Sequence, residues 1–516
     1  MTAPLTPAPQ RLLVRGARLV PLDGEAPGAP VDLRLADGVM CEVGEALTPA
    51  GEPVLEAGGR WVIPGLWDAH LHLAAHASRR GWFDLASTDG PDAAVARVAA
   101  HLAARPGEVA GGVATGFGYR SNAWSAPASV AALDAVSGDR PVVLVAGDFH
   151  NGWLNSAAQR LLGVGPFAGA LFEEEWFSVA DRLGGVPGFA AGQEDVRAVL
   201  ADAAARGLTG VVDFDFNALA DWPRRVAAGL DLLRVRVGVY GPHLDDVIAA
   251  GLRTGDALDD RGLVTLGAHK IIADGSLGSR TAWCWEPYAD GVPGMPAAAG
   301  APNLPVARLR DQAARATAAG LEVALHAIGD RTVTVALDAV EACGARGSIE
   351  HAQLLTAADL GRFARLGVRA SVQPLHLVDD RDLADVCWAG RTGRCYAFRA
   401  LLDAGADLRF GSDAPVAPID PWGAMAAAVH RSGDDRPAWH PEQAVTPAEA
   451  VRASVDGQRL RRGARADLVV LGEDPLWRGA TPAETAAHLR TMPVLATVCA
   501  GRITHLGAPL LRKGGS

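Results

Sequence analysis

The sequence predicts an α/β chain: a closed (β/α)8 barrel of the TIM type with a small β-sandwich built from both chain termini. Three observations predict it. Short apolar runs that end in polar residues alternate with alanine-rich helical stretches through the long middle of the chain. Short alternating strands fill the first 60 or so residues and return at the far end. Finally, 516 residues leave room for a barrel of typically about 250 residues plus insertions.

The first stretches, "RLLVRGARLV", "VDLRLADGVM" and "EPVLEAGGRWVI", are separated by Gly, Pro and Asp turns and read as a small antiparallel sheet. The same texture in "RADLVVLGEDPL" and "VLATVCAGRITHLG" suggests one β-domain assembled from the two ends. The expected boundaries are 1–63 for its first part, 64–440 for the barrel, and 441–516 for a linking helix and the second part. Candidate barrel strands include "GVVDFDFN", "LLRVRVGVYG", "LGAHKIIADGS", "LEVALHAIGD", "GSIEHAQ", "VRASVQPLH" and "DLRFGSDAPV". Strand–helix alternation of this kind predicts a parallel sheet. A doubly wound open sheet is the second reading, but no GxGxxG follows the first strand of the middle region, so a dinucleotide fold has no support. Residues from about 75 to 205 are less regular, with one strand-like run, "PVVLVAGDFH", and loops rich in Gly, Pro and Trp. They read as an insertion covering the barrel mouth.

The formal charge of −11 disfavours nucleic acid as a partner. Six cysteines without a CxxC pair suit reduced thiols in a cytosolic protein. The start, "MTAPLTPAPQRLLVRG", lacks the charged-then-apolar pattern of a leader, and no apolar run reaches the roughly 20 residues of a membrane span. A cytoplasmic protein acting on a small molecule, with no membrane and no nucleic acid involved, is the expectation. A homo-oligomer is compatible with it.

Chemistry enters through "PGLWDAHLHL", where His70 and His72 stand one residue apart. Side chains at i and i+2 of a strand share a face. His326 follows "LEVAL", His351 follows "GSIE", Asp413 follows "DLRFGS" and Lys270 closes "LGAHK". Carboxyl ends of parallel barrel strands gather on one face, where active sites are found. Zinc and similar divalent ions accept His nitrogen and carboxylate oxygen, and catalytic sites keep a position open for water or substrate. A carboxylate beside that water can take its proton and later deliver it to a leaving group, which makes Asp413 the candidate base. Each residue alone has a plainer reading: a hydrogen-bonded core histidine, or a turn or helix cap for Asp413.

Together the stretches "VIPGLWDAHLHL", "FHNGWLNS", "KIIADGSLGSRTA", "LHAIGDRTV", "IEHAQ", "SVQPLH", "FGSDAPVAPIDPW" and "RADLVVLGEDPL" resemble the amidohydrolase superfamily of metal-dependent hydrolases. Within it they look most like amidohydrolase family 3, the branch that includes N-substituted formamide deformylases. The resemblance covers nearly the whole chain and implies a barrel with a two-terminus β-sandwich. It implies His70 and His72 as first-strand metal ligands, His326 and His351 as ligands from later strands, and Asp413 as the last-strand carboxylate. Lys270 sits where several relatives carry a carboxylated lysine bridging two metals, and Glu173 in "GALFEEEW" is the competing bridging ligand. His150 is implied as a catalytic group that binds the scissile carbonyl or the substrate's polar end. His376, Arg280 and Trp153 are implied or suggested substrate contacts. The implied cofactor is a divalent metal, zinc first, with one or two ions per chain and a carboxylated Lys270 in the two-metal case. The implied activity is hydrolysis of a C–N bond in an amide-like non-peptide substrate. Ring opening of a cyclic amide or carbamate is the alternative, and a non-catalytic binding protein on the same fold the third. One departure from the family is a shortened return to the β-domain, "VDGQRLRRGARADLVVL".

Overall fold

Eight parallel strands form the central sheet, taken here as barrel strands one to eight: Leu66–Leu71, Leu208–Asp213, Arg234–Val239, Val264–Ile272, Val323–Ala327, Gly347–His351, Arg369–Val372 and Asp407–Phe410. Each pairs in parallel with its sequence neighbour. In this computed structural model, residues 11–507 are described apart from 106–111, 122–123, 125 and 292–297. The outermost ends of the two expected terminal segments, 1–10 and 508–516, therefore lie outside the described residues.

The ring closes between strands eight and one. Asp413 N–H donates to the His70 carbonyl and His72 N–H to the Ala414 carbonyl, both at 2.7 Å. Gly411 makes that approach feasible, because a Cβ there would stand 2.7 Å from the His70 nitrogen. Closure thus aligns the His70/His72 segment with the Asp413 segment before any side chain is considered.

The chain ends form an eight-stranded sheet in which Trp61–Pro64 pairs antiparallel with Leu468–Leu471. Its hub is Arg11–Leu19, which pairs with Val31–Ala36 on one side and with Val54–Glu56 and Trp61–Pro64 on the other. Alternating apolar residues of both ends, such as Leu12, Val14, Leu33, Leu468, Val470 and Val498, share one core. Period-two burial of this kind is what holds two remote segments in one register.

The stretch between barrel strands one and two is more regular than its sequence suggests. It contains a five-stranded mixed sheet, ordered Leu171–Phe172, Asn151–Leu154, Val142–Ala146, Ala114–Tyr119 and Phe83–Asp84. Only Val142–Ala146 is readable as a strand from its composition. Both faces of this sheet are buried: Val142, Leu144 and Ala146 enter one apolar cluster while Val143 and Val145 enter another. Continuous apolar runs replace alternation in such strands, and the two-residue partners are too short to signal at all. No helix among the described residues is long and apolar enough to cross a membrane.

Candidate metal centre

One ligand atom each from His70, His351 and Asp413 lies within 4.8 Å of the others, all three residues buried. His70 is the penultimate residue of the first strand, His351 ends the sixth, and Asp413 follows the eighth. Two of the three hold left-handed backbone, φ +71° at His351 and +55° at Asp413. Such a conformation costs a non-glycine residue about 1–3 kcal/mol and clusters at functional sites.

The outward ring nitrogens are fixed. With the proton on Nδ1, His70 donates to Glu350 Oε2 at 2.6 Å and His351 donates to Gln373 Oε1 at 2.8 Å. Each bond sets the tautomer and leaves Nε2 as the lone-pair nitrogen. A carboxylate or amide behind the imidazole is the usual companion of a metal-ligating histidine. His70 Nε2 accordingly lies 3.5 Å from Asp413 Oδ1. Burial lowers His351 and His326 well below the ordinary imidazole value, and lowers His70 as well, aided by Lys270. Neutral rings are the form a metal requires. Burial would raise the Asp413 carboxyl, but His70, His72, His351 and His376 outweigh it and hold it well below its usual range. Two neutral nitrogens and an ionised oxygen, oriented from behind, are a donor set that fits zinc or a similar divalent ion.

The other expected ligands stand at graded distances. His72 Nε2 is 3.4 Å from Asp413 Oδ1. The His326 ring lies 4.4 Å from that of His351, with Nε2 at 3.3 Å from the Gly275 carbonyl. Lys270 Nζ is 3.2 Å from His70 Nε2 and 4.3 Å over the Phe214 ring. Burial lowers its pKa to about 8 against the pull of Glu350 and Asp413.

Glu173 is placed elsewhere. Its Oε2 accepts from His150 Nδ1 at 2.8 Å, and its Oε1 accepts from Thr281 at 2.6 Å and Ser279 at 3.0 Å. Both oxygens are engaged away from the His70–His351–Asp413 cluster, so Glu173 supports His150 and does not offer a bridging ligand. Burial opposes the charge on His150, but Glu173 outweighs it and raises the imidazole to about 9. His150 lines the same cavity as the cluster, its ring 5.7 Å from His326.

That cavity, about 260 Å³, runs from the cluster to the insertion and is walled by Phe149, Trp176, Phe177, Phe189 and Phe216. His376, on the helix Pro374–Cys387, lines a smaller adjoining cavity that shares His150, His326, His351 and Asp413 with the first, its Nε2 3.8 Å from Asp413 Oδ2 and without a hydrogen-bond acceptor. Two expected substrate contacts are corrected. Trp153 is fully buried in the insertion's far core. Strand parity explains this: Trp153 faces one side, and Gly152 leaves space on the other for Trp176, whose ring a Cβ would meet at 2.2 Å. Arg280 is locked to Asp290 by Nε and Nη2, both at 2.7 Å. The guanidinium on the cavity wall is instead that of Arg225, Nη2 at 3.2 Å from Asp221 and Nη1 without an acceptor. Sequence reasoning also assigned no part to Glu350 and Gln373. Their signal was position, one residue before a candidate ligand in "IEHAQ" and at the end of the seventh strand in "SVQPLH".

A parallel barrel with imidazoles and a carboxylate converging at the carboxyl ends of its strands defines a class, the barrel hydrolases. More narrowly, the amidohydrolase family model matches residues 54–505, and the chain belongs to that family. It is 27% identical over 497 residues to N-substituted formamide deformylase of Arthrobacter pascens, covering 85% of this chain and 88% of the relative. It is 26% identical over 492 residues to the protein YtcJ of Bacillus subtilis (strain 168), covering 87% and 89%. An uncharacterized metal-dependent hydrolase from Pyrococcus horikoshii OT3 superposes with a TM-score of 0.75 at 25% identity, covering 91% of this chain and 98% of the other.

Proposed function

We propose that the chain is a metal-dependent hydrolase that cleaves a C–N bond of an amide-like, non-peptide substrate. The observation that carries this reading is the convergence of His70, His351 and Asp413 within 4.8 Å, each imidazole oriented from behind, at one end of an aromatic-walled cavity. His70, His351 and Asp413 would hold the metal, zinc first, with His72 and His326 alongside. When bound, such an ion supplies Lewis-acid polarisation of a carbonyl and acidifies water.

The protein's own groups divide the remaining work. Asp413 is ionised at neutral pH and is the proton acceptor, later returning the proton to the departing nitrogen. His150, held protonated by Glu173, donates a hydrogen bond toward the developing negative oxygen. His376, whose Nε2 has no acceptor, contacts the substrate's polar end. The aromatic wall takes up an apolar substituent and keeps water from the reacting bond. Lys270, lowered to about 8, is the amine of the centre best able to lose its proton and take up CO2, which would give the two-metal form.

The test is metal analysis of protein purified without chelators, together with turnover of N-substituted formamides, other linear amides and cyclic amides. Turnover of a linear amide that collapses in Asp413→Asn while metal is retained supports the reading. Retained turnover in that variant would remove Asp413 from its role, and activity confined to cyclic amides would replace the linear substrate class.

A further inference from the structure

At the lower end of the barrel lies a second, partly open cavity of about 680 Å³ that the reaction above does not use. It lies at the strand beginnings: Arg369 and Asp407 open strands seven and eight, and Glu322 precedes strand five. Register builds its wall. Glu350, Ser371 and Arg409 are consecutive cross-strand partners in strands six, seven and eight, and Trp67 stands on strand one, which closes against strand eight. All four line the cavity. The shortened return segment forms its floor with Asp456, Gln458 and Arg465.

The carboxylates here are already engaged. Asp456 accepts both Arg236 Nη1 and Nη2, at 2.9 and 2.6 Å, and Arg465 at 3.0 Å. Asp407 accepts Arg409 Nη2 at 2.7 Å, Glu322 accepts Arg369, and Glu350 accepts His70 and Ser348. Several donors are left over. Trp67 Nε1, Arg409 Nε, Arg409 Nη1 and Ser371 Oγ are buried with no acceptor in the protein. Arg409 Nη1 reaches Asp456 only at 4.0 Å, beyond hydrogen-bond range. Trp67 and Ser371 are 5% and 2% exposed. The Trp67 ring is clamped between the guanidinium groups of Arg236 at 4.3 Å and Arg465 at 4.9 Å, so its N–H cannot swing to another partner. Buried donors without acceptors are rare in native proteins and each asks for an explanation.

We infer that this lower cavity is a binding site for a small oxyanion, a carboxylate- or phosphate-bearing molecule, held by Trp67, Ser371 and Arg409. Unmet donors of one polarity, with the local acceptors filled, are complementary to an acceptor-rich group. The four cavity guanidiniums are matched by four carboxylates (Arg236, Arg369, Arg409 and Arg465 against Glu322, Glu350, Asp407 and Asp456). The site therefore suits a small anion recognised by hydrogen bonds and disfavours a polyanion recognised by net charge. Glu350 belongs both to this wall and to the His70 hydrogen bond, which places the anion one residue from the metal centre. The inference is independent of the reaction proposed above.

The test is isothermal titration of the metal-loaded enzyme with inorganic phosphate and, separately, with succinate at constant ionic strength. It compares the wild type with Trp67→Phe/Ser371→Ala, and with Ser371→Ala alone in case the double variant unfolds. The expected result is saturable binding that weakens at least 10-fold in the double variant and measurably in the single one. Phosphate preferred over succinate assigns a phosphate ligand, and the reverse assigns a carboxylate. No saturable binding of either anion, affinity unchanged in both variants, or a crystal structure with phosphate showing only water at Trp67 Nε1 would overturn it.

Discussion

The two ends of one barrel show opposite hydrogen-bonding conditions. At the upper end, lone pairs of His70, His351 and Asp413 converge while the N–H groups behind the imidazoles are satisfied by Glu350 and Gln373. At the lower end, Trp67 and Arg409 line one cavity with N–H groups that lack acceptors, while the carboxylates around them are engaged. Inward positions recur every second residue along the same strands, so Glu350 belongs to both ends. One end is prepared for a cation and the other for an anion. Substitutions that act at one end and spare the other are the means of testing that contrast.

The largest effect is expected from the proposed ligands. His351→Ala should lose bound metal and more than about 10³ in kcat/KM, checked by metal analysis and turnover, because it removes one donor and a backbone-strained anchor. Asp413→Asn should lower kcat by about 10²–10⁴ while retaining most of its metal. Glu350→Gln should weaken metal affinity by about 10–100-fold, measured by competition with a chelator. If Glu350→Gln altered anion binding alone, the coupling between the two ends would fail.

A smaller effect is expected in the pH profile. The folded His150 pKa is raised to about 9 from 6.5. Glu173 is lowered in turn to about 2 from 4.5, so the pair adds stability that is complete between about 4.5 and 6.5, and lost as pH rises through about 9 or falls through about 2. If protonated His150 is needed, kcat/KM falls above about 9, and Glu173→Gln moves that limb at least one unit lower. An unmoved limb would detach Glu173 from catalysis. The smallest catalytic effect belongs to Trp153→Ala, predicted to cost about 3–5 kcal/mol of stability with KM unchanged, read by denaturant unfolding and steady-state kinetics.

The barrel and its upper end were legible because the candidate ligands sit at ends of strands whose apolar runs are themselves conspicuous. His70, His72, Lys270, His326, His351 and Asp413 are therefore brought to one mouth as the strand pattern implies. The errors have a common cause. Glu173, Arg280 and Trp153 all lie outside the barrel strands, in the insertion or in a long loop, and nothing in the sequence marks which neighbours they meet there. Glu173 is turned onto His150, Arg280 onto Asp290 and Trp153 into a core. The lower cavity was invisible because its donors are spread from Trp67 to Arg465, and only closure of the ring assembles them. The shortened return segment reads in the sequence as a departure from the family, and only the fold places it in that floor.

The central claim is that His70, His351 and Asp413 form a metal centre. An anomalous-scattering map from crystals of protein purified without chelators tests it most directly. The account predicts a transition-metal peak bounded by His70 Nε2, His351 Nε2 and an Asp413 oxygen. A second peak with extra density on the Lys270 amine would mark the two-metal form. A fully active enzyme with no peak among these three residues would contradict the claim.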